Sequence, residues 1–165
     1  MTDKKSDDTP LHKAPHAIAT FIKPFILGAR VQLRRYLEAN EAANKHHLME
    51  AHYECLYEAS SLFEHLATVA TYLGNADINL KLNATIKDFR NHIRHDARGE
   101  IDDRSGKRAK RLGLQDGLEV GIEFPLGGIK IGTTELTANQ LGLYLDMAET
   151  SAYGLLLSVP IEVAD

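Results

Sequence analysis

The stretch Asp88-Phe89-Arg90-Asn91-His92-Ile93-Arg94-His95-Asp96-Ala97-Arg98 gathers three arginines, two histidines and one asparagine in a single short run. Arginine carries a permanent charge on a planar fork that fits phosphate oxygens. Histidine takes up and releases a proton near neutral pH. A general base, a general acid and cations for the charged phosphorane are what metal-free cleavage of RNA requires. Asn91 and His95 are four residues apart, so on a helix they stack on one face, as do Arg90 and Arg94. Arg90 and His95 lie about 140° apart on an ideal helix. The long arginine must therefore reach round, or the helix must loosen. A structural alternative uses the same residues. Arg90, Arg94 and Arg98 at four-residue steps also make a solvated face that Asp88 and Asp96 can neutralise, and cations suit a helix C-terminus.

A second basic run follows. Residues 104–111 hold five cations and no acid. With Lys107 and Arg108 they suit a phosphate-contacting loop beside the first run, or simply a soluble charged loop. No aromatic interleaves with these charges, so base stacking is not indicated there. Residues 88–111 as a whole hold eight basic and five acidic groups. Residues 112–165 hold one basic and eight acidic. Any RNA should therefore be confined to the side that bears the first run.

The other candidate chemistry is thinner. His46, His47 and His52 gather near Glu50 and Glu54, which are metal-ligand types. His47 and His52 are five apart, however, and do not share a helix face. No metal and no cofactor are assigned. Cys55 sits on an apolar stripe and reads as a buried thiol rather than a nucleophile. His65 lies beside the same stripe and reads as a half-buried, satisfied histidine. The chain has no phosphate-cradling glycine loop, no Gly-x-Ser-x-Gly elbow, no Cys-x-x-Cys pair and no helical Glu-x-x-His.

The elements that must hold the arginine-histidine run follow from periodicity. A first helix is expected from Ile18, Phe21, Ile22, Phe25 and Ile26 through Leu33, Tyr36 and Leu37. It either starts near Pro24 or kinks there, and a break is expected between Asn40 and Asn44. The second runs from Leu48 to Leu73, with Gly74 as its cap. The third begins after Asp77, which would cap it. Its stripe is Ile78, Leu82, Ile86, Phe89 and Ile93, and it ends near Gly99 with the candidate residues on its last turns. The period then changes to two. Leu118, Val120, Ile122 and Phe124, then Ile129 and Ile131, flank Pro125-Leu126-Gly127-Gly128 and predict a β-hairpin. Thr137 and Gln140 form a capping box for a last helix through Leu141, Tyr144, Leu145, Ala148, Ala152, Leu155 and Leu156. The expected fold is mainly α: an antiparallel four-helix bundle with a small β-hairpin between helices 3 and 4.

The run Arg90-Asn91-His92-Ile93-Arg94-His95 resembles the Arg-polar-x-x-x-His motif of the HEPN superfamily. That resemblance implies a helical bundle, commonly a homodimer, in which the motif faces its symmetry mate across a composite cleft. It further implies a metal-independent endoribonuclease of a toxin–antitoxin, phage-defence or related conflict system. RNA would be the substrate, and an antitoxin or other regulatory protein a possible partner. Arg90 would stabilise phosphate charge, Asn91 would orient the phosphate or His95, and His95 would be the general base or acid. Arg94, Arg98, Lys107 and Arg108 would hold RNA. Residues 90–102 also resemble a subgroup with an Arg-Asn-x-x-x-His-x-x-Arg run before a small hairpin and a final helix. Ala97 departs from the tyrosine found two residues after the histidine in HEPN toxins that are silenced by nucleotide transfer. Non-catalytic HEPN-like modules that bind RNA or protein are the alternative. A looser likeness, in the order His65, His95-Asp96, Asp146, is to HD-type helical metal phosphohydrolases.

At 165 residues and 18.3 kDa, with 44% hydrophobic and 25% charged residues, the chain suits one globular domain. Residues 17–160 are expected to form it, with residues 1–16 a disordered tail. One cysteine precludes an internal disulfide and points to a reducing compartment. No apolar run is long enough to span a membrane, and the first residues lack the apolar stretch of a signal peptide. A cytoplasmic location is expected.

Overall fold

Pro15 opens the first helix, α1 (Pro15–His46), where its fixed φ suits the first turn. The computed structural model describes residues 14–98 and 121–157, with the side chains of residues 95–98 outside that description. Of the expected 1–16 tail, residues 1–13 lie outside the described residues, as do the 104–111 run with Lys107 and Arg108 and the Leu118–Val120 part of the hairpin, while Pro15 and His16 already belong to α1 because Pro15 suits its first turn.

Helix α1 is continuous through Pro24. Pro24 and Thr20 are both exposed, so the Thr20 carbonyl that loses its N–H partner faces water. Ile18, Ile22, Ile26, Ala29 and Tyr36 form the buried stripe. The break expected at Asn40–Asn44 does not occur. The helix runs on to His46, and His47, at φ 51°, closes it by donating to the Ala43 carbonyl at 3.0 Å. Asn40 and Asn44 favour turns because their amides compete for nearby backbone. Here those amides also serve a distant turn, while Asn44 back-bonds to the Asn40 carbonyl at 2.9 Å within the intact helix.

Helix α2 (Met49–Asn75) follows the expected stripe, with Ala51, Cys55, Ala59, Leu62, Phe63, Leu66, Val69, Ala70 and Leu73 buried. Its end is a Schellman motif. The Ile78 N–H reaches the Leu73 carbonyl at 2.9 Å and the Asp77 N–H reaches Gly74 at 3.0 Å. Asp77 takes the left-handed position, φ 56°. It therefore ends α2 rather than capping the next helix, and Gly74 lies inside the last turn. Helix α3 (Asn83–Arg98) starts six residues after Asp77. Ile78 and Leu82 pack against the core from outside a helix, which is why they mimicked its stripe. Ile86, Phe89 and Ile93 are buried as expected.

Among the described residues the β region has three strands rather than the two of a hairpin. β1 (Ile122–Glu123), β2 (Gly128–Ile131) and β3 (Thr134–Thr137) form an antiparallel sheet in sequence order. Ile131 pairs with Thr134, so Gly132 and Thr133 alone make the second turn, with Gly132 at φ +62°. Ile122, Ile129, Ile131 and Leu136 turn one face inward. The capping box forms as expected. The Gln140 N–H meets Thr137 Oγ1 at 3.2 Å and the Thr137 N–H meets Gln140 Oε1 at 2.8 Å. Helix α4 (Ala138–Leu157) follows.

Helix α1 packs on α2 and on α4, and α2 packs on α3. Gly28 allows the first approach, since a Cβ there would lie 2.6 Å from His65 Cδ2. Phe63 and Phe89 stack across α2–α3 at 5.4 Å. Tyr144 Oη donates to Asn83 Oδ1 at 2.7 Å, tying α4 to the start of α3. The sheet is held to α1 by one polar cluster. Asn40, 1% exposed, accepts from the Gly127 N–H at 2.8 Å and donates to the Pro125 carbonyl at 3.0 Å. Asn44 donates to the Phe124 carbonyl at 3.1 Å, and Tyr36 Oη to the Gly128 carbonyl at 2.5 Å. Burial pushes the Tyr36 pKa up, so the phenol stays a donor.

Asn40→Ala should therefore cost about 2–4 kcal/mol by leaving buried turn groups unpaired. Urea denaturation measures this, and a loss under about 1 kcal/mol would contradict it. Asp77→Gly should act in the other direction and raise stability by about 0.5–1 kcal/mol, since glycine adopts positive φ without a Cβ penalty. An unchanged or lower denaturation midpoint would show that the Asp77 side chain matters more than its φ.

Candidate functional site

Helix α3 divides its polar residues between two flanks. The buried Ile86, Phe89 and Ile93 fix its rotation. At 100° per residue this sends Arg90 and Arg94 to one side, Asp88 and His92 to the other, and Asn91 and the His95 backbone position between them.

On the arginine side the two guanidiniums have different fates. Arg94 forks onto Glu64 of α2 with two parallel bonds, Nη2 to Oε2 at 2.7 Å and Nε to Oε1. Both side chains are about one-third exposed. The pair closes the α2–α3 seam and compensates the Arg94 charge. Arg90 makes no ion pair among the described residues. It is half-buried, and its Nε donates to Asn91 Oδ1 at 3.2 Å. Desolvation lowers its pKa, the Arg94 charge lowers it further, and Glu64 works against both. It remains a cation. Arg90 is thus a desolvated charge with its fork only partly used, aimed by Asn91.

Of the sequence candidates, the structure brings Arg90 and Asn91 into contact. It places Arg94 beside them but turned to Glu64. His95 and Arg98 lie on the last turns of α3, with His95 one turn beyond Asn91; their side chains lie outside the described residues, as do Lys107 and Arg108. Asn91 was expected to orient phosphate or His95, and it holds its neighbour Arg90.

Glu64 was not found by sequence reasoning. Its partner is thirty positions away on another helix, and no local spacing marks such a pair. Asp88 and His92, each 7% exposed, were also underrated. Their i, i+4 spacing on the flank next to Phe89 and Ile93 was the available signal.

Two further histidines, His65 and His52, have structural surroundings. His65 Nδ1 lies 2.8 Å from the Ser61 carbonyl, and the ring fills the space left by Gly28. The His52 ring meets Phe124 at 5.0 Å, edge on. Among the described residues no three His, Cys, Asp or Glu side chains are grouped to hold a metal. Asp146 of the HD-type ordering is paired with Arg30 at 2.8 Å. Cys55 is fully buried, and burial, aided by the Glu54 charge, pushes its thiol up to about 11. The thiolate that a nucleophile needs is therefore suppressed. No helix among the described residues is long and apolar enough to cross a membrane.

Comparison with protein-family models, with curated proteins and with solved structures found no match.

The Cys55 thiol should resist iodoacetamide at pH 8 in the folded protein and react once the chain is unfolded, as mass spectrometry would report. Its raised folded pKa also sets a pH dependence. The stabilisation is complete below the unfolded value near 9.0 and is lost as pH rises through about 11. Cys55→Ala should remove this component of alkaline destabilisation. Rapid native alkylation at pH 8 would contradict the buried-thiol assignment.

Proposed function

We propose that the chain is a HEPN-like, metal-independent endoribonuclease of a defence or toxin type, with the four helices read as an antiparallel bundle. The observation that carries this is Arg90: a half-buried guanidinium with no carboxylate partner among the described residues, braced by Asn91. Burying a charge without an ion partner is costly. An anion that arrives with its own charge removes that cost, and a phosphate matches the fork. Arg94, neutralised by Glu64, contributes position more than charge.

In this reading Arg90 holds a non-bridging oxygen of the scissile phosphate and stabilises the extra negative charge as the 2′-oxygen attacks. His95 takes the 2′-hydroxyl proton or gives one to the leaving 5′-oxygen. The second proton-transfer group is His95 of another copy, if the two motifs share a cleft, or a second residue of the same chain. Arg98, Lys107 and Arg108 track the backbone. A homodimer and a neutralising protein belong to the same proposal. The rival reading, a non-catalytic HEPN-like RNA- or protein-binding module, would use Arg90 as an anchor without chemistry.

The test is RNA cleavage by purified protein in excess EDTA, alongside Arg90→Ala and His95→Ala. Expected are EDTA-resistant cleavage by the wild type, its loss with His95→Ala, and a fall in kcat/KM of about 10²–10³-fold with Arg90→Ala, each with an unchanged circular-dichroism spectrum. Intact RNA in every lane would favour the binding module. Cleavage abolished by EDTA would overturn the metal-free mechanism.

A further inference from the structure

Helix α3 stops short along the helix it packs on. Asn83, at its start, bonds to Ile78, which bonds to Leu73 near the end of α2, and Arg94 reaches Glu64 farther back. The two helices are thus antiparallel. Four residues of α3 follow Arg94, so it ends about 6 Å past Glu64, while α2 extends about 22 Å in the same direction, to Met49. Tyr57 and Tyr53 stand seven and eleven residues before Glu64, within about 20° of it round the helix. They are 80% and 62% exposed. Among the described residues Tyr57 has no ring or hydrogen-bond partner, and the Tyr53 ring meets only that of His52, at 6.2 Å.

Charge divides the outer face of α2 lengthwise. Phe63, on one side of Glu64, stacks on Phe89 of α3, and His65, on the other, fills the space at Gly28 of α1. Glu50, Glu54 and Glu58 lie about 40°, 80° and 120° round from Glu64 in the direction of His65, so they crowd the α1 side. The tyrosines lie between these acids and α3, whose adjoining flank carries Lys87, Arg90 and Arg94. Helix α2 itself has no lysine or arginine, and its Glu64 is held by Arg94. A polyanion laid along the seam from Arg90 is repelled on the α1 side and kept to the α3 side. The next groups it meets there are two exposed aromatic rings.

We propose that Tyr57 and Tyr53 form a stacking subsite for unpaired bases of the RNA whose phosphate Arg90 holds, a step that rests on the phosphate reading of Arg90. Every base has a π-face, and exposed aromatic side chains stack bases with little regard to sequence. The two rings are one turn apart, a rise of about 6 Å, and lie about 10 and 16 Å along α2 from the level of Glu64. They therefore serve nucleotides that flank the scissile phosphate, not the one being cut. Glu50 and Glu54 set the orientation of the strand across the helix. Bases turn to the rings, and phosphates keep to the cationic flank of α3. The basic run 104–111 has no aromatic residue, and α2 supplies the stacking that it lacks.

Fluorescence anisotropy with the full chain tests it. The probes are a fluorescein-labelled 2′-O-methyl octaadenylate, whose blocked 2′-oxygen prevents cleavage, and an abasic oligomer of equal length and charge. The wild type should bind the octaadenylate about tenfold or more tighter than the abasic oligomer. Tyr57→Ala and Tyr53→Ala should each weaken octaadenylate binding about fivefold or more, leave abasic binding unchanged and keep the circular-dichroism spectrum. Tyr57→Phe should retain the wild-type Kd, and Glu54→Gln should tighten binding of both oligomers. Arg90→Ala should weaken both alike. Equal binding of the two oligomers by the wild type overturns the subsite and leaves the Arg90 reading standing, as do tyrosine variants that bind octaadenylate normally or lose both oligomers equally. Arg90→Ala that alters neither Kd overturns the phosphate reading instead, and the tyrosine variants still decide the subsite. A wild type that binds neither oligomer at about 100 µM overturns both.

Discussion

Asn40 is the residue on which the arrangement of the other elements depends. Its buried amide uses both ends, accepting from Gly127 and donating to Pro125. Tyr36 and Asn44, one turn to either side, catch Gly128 and Phe124. The carbonyls and N–H of that turn would otherwise be desolvated against a helix with nothing to pair with. Because Gly127 also accepts the first N–H of α4, at 2.8 Å, the clamp fixes where α4 begins. The position of α4 in turn lets Arg30 reach Asp146 and Glu149, and lets Tyr144 reach Asn83 at the start of α3. That chain of contacts ends at Asn83, the first residue of α3, while the buried Ile86, Phe89 and Ile93 set the rotation of the helix itself.

Within α3 the main physical contrast is between neighbours on the same flank. Arg94 and Arg90 are one turn apart and have the same chemistry, yet one is neutralised and the other is not. The Glu64 fork spends the Arg94 charge on holding helices together. Arg90 keeps its charge partly desolvated, the condition under which a guanidinium gains most from an incoming anion. Asn91 contributes orientation, since an arginine held at Nε loses less freedom when it binds. On the opposite flank Asp88 and His92 are buried, with Phe89 and Ile93 lying between them and the arginines.

Much of the frame was legible in the sequence because it is written in periodicity. The span of α2 from Leu48 to Leu73 follows from its apolar spacing, and the Thr137–Gln140 capping box forms as its spacing requires. Errors arose where polar or apolar residues served distant partners. Asn40 and Asn44 resemble a break because such amides usually bond locally, while here both also reach a turn 80 or more residues away. Ile78 and Leu82 extended the α3 stripe by packing at the right spacing without being helical. Asp77 was read as the start of a helix because aspartate caps N-termini, and its left-handed φ ends one instead. The third strand, Thr134–Thr137, is not legible from alternation because Thr133 and Thr134 carry no apolar period and Gly132 supplies a two-residue turn without other turn residues. At the candidate site, the Arg90–Asn91 neighbourhood was legible and the Glu64 partner was not.

The long reach of the Asn40 clamp has a kinetic meaning. Helices α1 and α2 are joined by two residues, so their pairing closes a short loop and can form early. The clamp joins residues 80 to 92 positions apart, and the entropy of closing so long a loop must be met before any of its hydrogen bonds return energy. Closure entropy alone therefore predicts that the α1–α2 hairpin forms before the clamp, and that the turn at Gly127 is the latch by which the sheet and α4 are seated.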